Sequence, residues 1–302
     1  MGTFQNMFTN LSATRLIPRL FFSVGGSYQQ SRSLGAHGLQ MTEQRNSMHS
    51  RRAVQALRNN IWTGNATTLE SFVYDVYALD FGEEGAGLHG RLVEDQSTMV
   101  TNAVNFLAEM CKFRSVTIVA HSIGGYATIL ALAENPALQS VVRSVVTLAT
   151  PHANPILAVE PSLHRVHARI RQAIMPNVAL VSISGGLRDE MIPPEACHAA
   201  NALNLAATDI MLSGEKSSSP LLGMDHRAIV WCHNLLVPVR QILFALHDSE
   251  NKNKEERLRE VSTRIGLSDT YNYLDSINNI RSTYVVRYAK IFLQVSLVLS
   301  LM

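Results

Sequence analysis

A chain of 302 residues, 46% hydrophobic and 17% charged, is long enough for one large α/β domain with or without appendages, and its composition is globular. A net charge of +2 is too slight for a nucleic-acid partner to be expected. Cys111, Cys197 and Cys232 show no C-x-x-C spacing, so neither a disulfide framework nor a metal site is expected, and they read as small buried apolar residues.

Residues 1 to 18 form a poorly defined N-terminal segment. They hold no apolar core of signal-peptide length, and the Met-Gly start lacks the Ser or Thr that myristoylation requires at position 6. The triplets Asn10-Leu11-Ser12 and Asn65-Ala66-Thr67 would permit glycosylation in a lumenal protein. The first β run, RLFFSV (19 to 24), ends abruptly on Gly25 and Gly26, where a sharp turn would let backbone N–H groups face a ligand. A second run, FVYDVYALDF (72 to 81), contains Asp80 at its end, where an Asp commonly closes a turn.

Between that run and the next, Val100, Ala103, Val104, Leu107, Met110 and Cys111 fall on one helical face, as in a crossover helix. SVTIVA (115 to 120), VRSVVTLAT (142 to 150) and NVALVSISG (177 to 185) continue the alternation of short β runs with helical patterns. Such alternation predicts a mostly parallel sheet flanked by helices.

The stretch VTIVAHSIGGYATILALA (116 to 133) passes from an apolar β run through His-Ser-Ile-Gly-Gly into a helical run. This is the context of a nucleophile elbow, with Ser122 on a tight strand-to-helix turn. Ala120 and Gly124, two positions either side, are small enough for strand and helix to pass closely. Ile123 would supply one oxyanion N–H, and the positive end of the following helix would favour charge developing at Ser122. A glycine-rich turn of some other α/β protein is the plainer alternative.

In an α/β-hydrolase fold the partners of such a serine follow in the order acid, then histidine. Asp189, in SGGLRDEMIPP past the fifth run, stands where the acid is expected, with Glu190 as its competitor. Of His198, His226, His233 and His247 downstream, His226 stands in a loop at the start of the last amphipathic helix. Chain order and loop position together select it as the base. Asp225 before that helix reads equally as an N-cap, while His121 and His152 read as pocket lining.

That last helix is predicted over about residues 227 to 247, from Trp231, Leu235, Val239, Leu243 and Leu246, with Leu236 and Ile242 beside them. HDSENKNKEERLRE then turns almost purely charged and reads as a solvated boundary. The expected division is therefore a catalytic domain over 19–248, followed by a charged linker and apolar tail over 249–302. The final IFLQVSLVLSLM is shorter than a membrane span.

HSIGG, LATPH, SGGLRD and MDHRAIVWC, together with GSYQQSRSLG and VYALDFGEE, resemble the catalytic domain of the GPI inositol-deacylase family from about Phe21 to about Asp248. The resemblance implies an endoplasmic reticulum membrane hydrolase, without cofactor, that removes the acyl chain from the inositol of GPI anchors. Its substrate would be GPI lipid or GPI-anchored proteins. Ser122 would be the nucleophile, with Asp189 and His226 at the acid and base positions. The insertion ANPILAVEPSLHRVHARIRQAIMP, after the fourth recognised strand, would form a short helical cap. Its apolar line of Val159, Leu163, Val166, Ile170 and Ile174 would meet an acyl chain, and Arg165, Arg169 and Arg171 a phosphoinositol head. A surface helix packed on the core is the alternative.

Two departures from the family pattern stand out. The family has P-G-N-A before G-S-Y, where this chain has Phe22-Ser23-Val24-Gly25, so the oxyanion loop is altered. The family's flanking membrane helices are not in this sequence, which leads to the expectation of a fragment, or else of a shortened soluble paralogue. Beside the deacylase reading stand a general soluble esterase or lipase, and a catalytically impaired hydrolase-like protein that binds lipid or GPI-linked partners.

Overall fold

The computed structural model describes residues 19–24, 75–81, 87, 89–111, 115–155, 160–199, 207–211 and 223–266. Six parallel strands, β1 (Arg19–Val24), β2 (Asp75–Asp80), β3 (Val116–His121), β4 (Val142–Leu148), β5 (Ala179–Ser184) and β6 (Ala207–Met211), form one sheet in the order β2-β1-β3-β4-β5-β6. Helices α1 (Gly90–Cys111), α2 (Ile123–Glu134), α3 (Pro161–Arg171), α4 (His233–Asp248) and α5 (Lys254–Arg264) accompany it.

The central strands are near-continuous apolar runs because both of their faces are covered. Ile118, Ala120 and Val145 share one core cluster with Val104 and Leu107 of α1, Ile129 of α2, and Leu163 and Ile170 of α3. Val119, Val146 and Val181, which alternate with residues of that face, are equally buried. The register aligns the strand exits: Val24 pairs with His121, His121 with Leu148, and Leu148 with Ile183. Every loop leaving this edge starts from one shelf.

Residues Ile123 through Leu132 of α2 are all buried, so α2 is an internal helix rather than an amphipathic one. Helix α3 packs against both α1 and α2. Its Arg169 bridges Glu94 of α1 and Glu134 of α2. At the other end Glu160 caps α3, accepting from the Leu163 N–H at 2.6 Å and the Ser162 hydroxyl at 2.5 Å, and the latter bond holds its carboxyl down to about 2. Of the two readings offered for this segment, the buried Leu163, Val166 and Ile170 fit a helix packed on the core. Ile174 lies past the helix end and is 78% exposed, while Val159 lies outside the described residues.

The C-terminal elements differ from expectation in three ways. The last amphipathic helix begins at His233, after a short 3-10 turn at Ala228–Val230, and Trp231 is 46% exposed, off the buried face. The charged stretch after it carries α5, whose Arg257 is buried and donates to the carbonyls of Arg143 (2.6 Å) and Asn177 (2.5 Å). Buried Lys254 likewise donates to Met175 O at 3.2 Å. Strand β6 was not anticipated, because ATDIM is short and carries Asp209, with no long apolar run to mark it. By compactness the chain divides into Met1–Val261 and Ser262–Met302; of the second unit, the end of α5 and its turn at Gly266 are described. Among the described residues, no helix is long and apolar enough to cross a membrane.

Besides the Arg169–Glu134 pair, a second polar link ties α2 to α3. The Tyr126 hydroxyl donates to Asn154 O at 3.0 Å and lies 2.8 Å from His167 Nδ1, so that nitrogen carries the proton and donates back. Burial, with Arg171 nearby, lowers the His167 pKa from 6.5. A lowered imidazole pKa means the unfolded chain takes up the proton first, so this stabilisation is complete above the ordinary value and falls as pH drops through the lowered one. Half-buried His247 is shifted in the same direction, mainly by burial. His167→Gln should therefore flatten part of the loss in urea midpoint between about pH 7 and pH 5. An unchanged slope would assign that loss to other groups.

Candidate active site

Strand β3 is buried along its whole length and ends at His121, and Ser122 turns the chain into α2 with φ 54° and ψ −129°. A non-glycine residue at positive φ is strained and persists only where its surroundings over-determine it. Three hydrogen bonds do so here. The Ser122 N–H donates to Leu148 O at 2.8 Å, and the Ser122 carbonyl accepts from Gly125 N–H at 3.0 Å and from the Thr150 hydroxyl at 2.9 Å. Thr150 reaches that carbonyl after a second positive-φ residue, Ala149 at 49°, whose N–H donates to Ile183 O at 2.7 Å.

This packing explains the second glycine of His-Ser-Ile-Gly-Gly. A Cβ on Gly125 would stand 2.2 Å from Thr150 Oγ1 and 2.4 Å from its Cγ2. Sequence reasoning singled out Ala120 and Gly124 and missed the Gly125–Thr150 contact. The two residues are 25 apart in sequence, and only the neighbouring exits of β3 and β4 bring them together.

Two further loops meet at Gly185. Its carbonyl accepts from Met224 N–H at 2.6 Å, and a Cβ there would lie 2.8 Å from both Met224 O and Asp189 Cβ. The close approach brings Asp189, after β5, against His226, before α4. Asp189 Oδ1 accepts from the N–H groups of Met191 (3.0 Å) and Ile192 (2.8 Å), leaving Oδ2 to accept from His226 Nδ1 at 2.9 Å. With the proton on Nδ1, His226 Nε2 is an acceptor, and it lies 2.9 Å from Ser122 Oγ. All three side chains are buried. A serine, an imidazole and a carboxylate so joined can pass a proton from the hydroxyl to the imidazole while the carboxylate holds the tautomer.

The other candidates fall elsewhere. Glu190 is exposed, whereas Asp189 is buried and bonded to the histidine. Asp225 Oδ1 accepts from Arg227 N–H at 2.9 Å and Ala228 N–H at 3.4 Å, as a cap does. His233 is exposed at the start of α4, and His198 and His247 are half-buried. His152 is buried with Nε2 at 2.9 Å from Thr147 Oγ1. His121 packs against His226, with ring centroids 4.8 Å apart. Ile123 is the first residue of α2, Cys197 is buried and Cys232 half-buried. Gly25 and Gly26 lie outside the described residues, as does the Asp80 side chain. Among the described residues, no cluster of three or more His, Cys, Asp or Glu could hold a metal ion.

Residues 18–246 match the family described as the PGAP1-like alpha/beta domain. The GPI inositol-deacylase of Cryptococcus neoformans var. neoformans serotype D (strain B-3501A) is 27% identical over 241 residues, covering 75% of this chain and 28% of that protein. The GPI inositol-deacylase of Aspergillus oryzae is 27% identical over 276 residues, covering 80% of this chain and 24% of that protein. The chain thus spans about a quarter of the length of the curated relatives it matches. Among solved structures, Aspergillus fumigatus lipase B aligns with a TM-score of 0.51 at 12% identity, over 82% of this chain and 61% of that one, a likeness of fold.

Gly125→Ala should lower stability by about 1–3 kcal/mol in urea unfolding, as overpacking does. Adding Thr150→Ala, which removes the two closest atoms, should recover part of that loss. A Gly125→Ala protein as stable as wild type would show that the elbow is not closely packed at Thr150.

Proposed function

The chain belongs to the PGAP1-like alpha/beta domain family, and from that premise we propose that it is the hydrolytic domain of a serine esterase that removes the acyl chain from the inositol of a GPI anchor. The observation that carries the reading is the unbroken chain from Ser122 Oγ through both nitrogens of His226 to Asp189, each link 2.9 Å.

In the proposed reaction, His226 Nε2 takes the Ser122 proton as Oγ attacks the acyl carbonyl carbon. The carbonyl π electrons move to oxygen, giving a tetrahedral oxyanion. Its collapse expels the inositol oxygen, which receives the proton from His226, and leaves the acyl group esterified to Ser122. Water, deprotonated by His226, then releases the fatty acid and restores the serine. Asp189 holds Nδ1–H throughout and offsets the imidazolium charge. The Ile123 N–H is a fitting oxyanion donor, because first-turn amides lack an intrahelical acceptor and stand at the positive end of the helix. A second donor is proposed from the Gly25–Gly26 segment. The pairing of Val24 with His121 supports that choice, since the chain that follows Val24 starts beside the residue that precedes Ser122.

The proposed substrates are GPI lipid or GPI-anchored proteins, and the proposed location is the endoplasmic reticulum membrane, both resting on the likeness to proteins named GPI inositol-deacylase. Labelling by a fluorophosphonate probe tests the chemistry. Wild type should label, Ser122→Ala should not label at all, and His226→Ala should slow labelling by about 10⁴-fold or more. Asp189→Asn should lower the rate by up to about 10⁴-fold, while Glu190→Gln should stay within about twofold. A folded wild type that fails to label overturns the enzymatic reading. Labelling without release of fatty acid from inositol-acylated GPI keeps the esterase and overturns the substrate.

A further inference from the structure

We propose that His121 is a positioning residue that ties the backbone of His226 to the strand carrying the nucleophile. The inference rests on the catalytic reading above and goes beyond it.

His226 stands in a loop, so its side chain is aimed only as well as its backbone is held. Its carbonyl lies 2.9 Å from His121 Nε2. A carbonyl can only accept, so that nitrogen carries the proton and donates. His121 is buried and is the last residue of β3, immediately before Ser122. The nucleophile and the clamp on its base therefore leave the same strand end in consecutive residues. Any displacement of that strand end carries Ser122 Oγ and the His226 backbone together, which keeps the Oγ–Nε2 distance constant.

The imidazole also lies face-adjacent to His226, with centroids 4.8 Å apart and planes tilted by 40°. A lysine at this position could donate equally, but it would bring a fixed positive charge beside the imidazolium that forms during acyl transfer. Histidine donates from a ring that also fills the space. A merely space-filling role needs the ring and not the donor, whereas positioning needs the donor. The two roles therefore predict opposite orders for the same pair of variants.

The full chain is assayed with a soluble nitrophenyl ester as wild type, His121→Phe (ring without donor) and His121→Gln (donor without ring, with its amide nitrogen at similar reach). His121→Phe should keep KM within about twofold and lose about 10- to 100-fold in kcat, the cost of a misplaced catalytic group. His121→Gln should keep kcat within about threefold of wild type. If His121→Phe does not fold, His121→Leu serves as the donorless variant. Proton NMR supplies a readout independent of turnover, the far-downfield resonance of the His226 Nδ1–H held by Asp189. It should shift or broaden in the donorless variant and persist in His121→Gln. A folded donorless variant with kcat within about threefold of wild type, or equal losses in the donorless and Gln variants, overturns the positioning role. A wild type inactive on the ester and unlabelled by fluorophosphonate overturns the catalytic reading instead. In that case an unchanged resonance in the donorless variant overturns the positioning role separately.

Discussion

The left-handed backbone of Ser122 is the constraint from which the rest of the site follows. Strand and helix must meet at an angle that holds the serine hydroxyl out from both, and L-residues adopt that conformation only when held there. The restraint comes from the neighbouring exit of β4. Leu148 takes the serine's N–H, and Thr150 gives a hydroxyl to its carbonyl. A parallel sheet with aligned exits makes both contacts available at once, and the burial of α2 on nearly all sides prevents the turn from relaxing outward.

A second constraint operates at Gly185, where the absence of a side chain lets the loop after β5 touch the loop before α4. Asp189 is then wholly committed. One carboxylate oxygen receives two backbone N–H groups, and the other faces the histidine. Holding the carboxylate by its own loop aims it as well as charging the site. Helix α3 and the Tyr126–His167 link brace α2, so the helix that follows Ser122 is held at both its start and its flank.

Much of this was legible in the sequence because the pattern there reports burial directly. Strands covered on both faces, as β3, β4 and β5 are, read as near-continuous apolar runs, and five of the six described strands stood out as short β runs. Asp189 and His226 were reachable from chain order and loop position, although the choice of Asp189 over Glu190 rested on which carboxylate the loop turns inward. Helical spacing was less reliable. Ile174 and Trp231 share the period of their buried neighbours yet lie beyond the helix ends and are exposed. The charged run after α4 looked solvated, but charge count alone does not reveal backbone carbonyls waiting for a donor. Arg257 is buried because Arg143 and Asn177 offer two of them.

The sequence by itself determined the alternating α/β order, the serine at a strand-to-helix turn, and the acid and histidine downstream, since each is encoded in local pattern and spacing. Only the tertiary structure decided which residues separated by 25 to 105 positions touch: Thr150 with Gly125, His226 with Asp189, and His121 with the carbonyl of His226. Those contacts depend on which strand exits are neighbours in the sheet and on how closely two loops can approach. Neither quantity has a local signature, because each is set by the packing of the whole sheet and the helices against it.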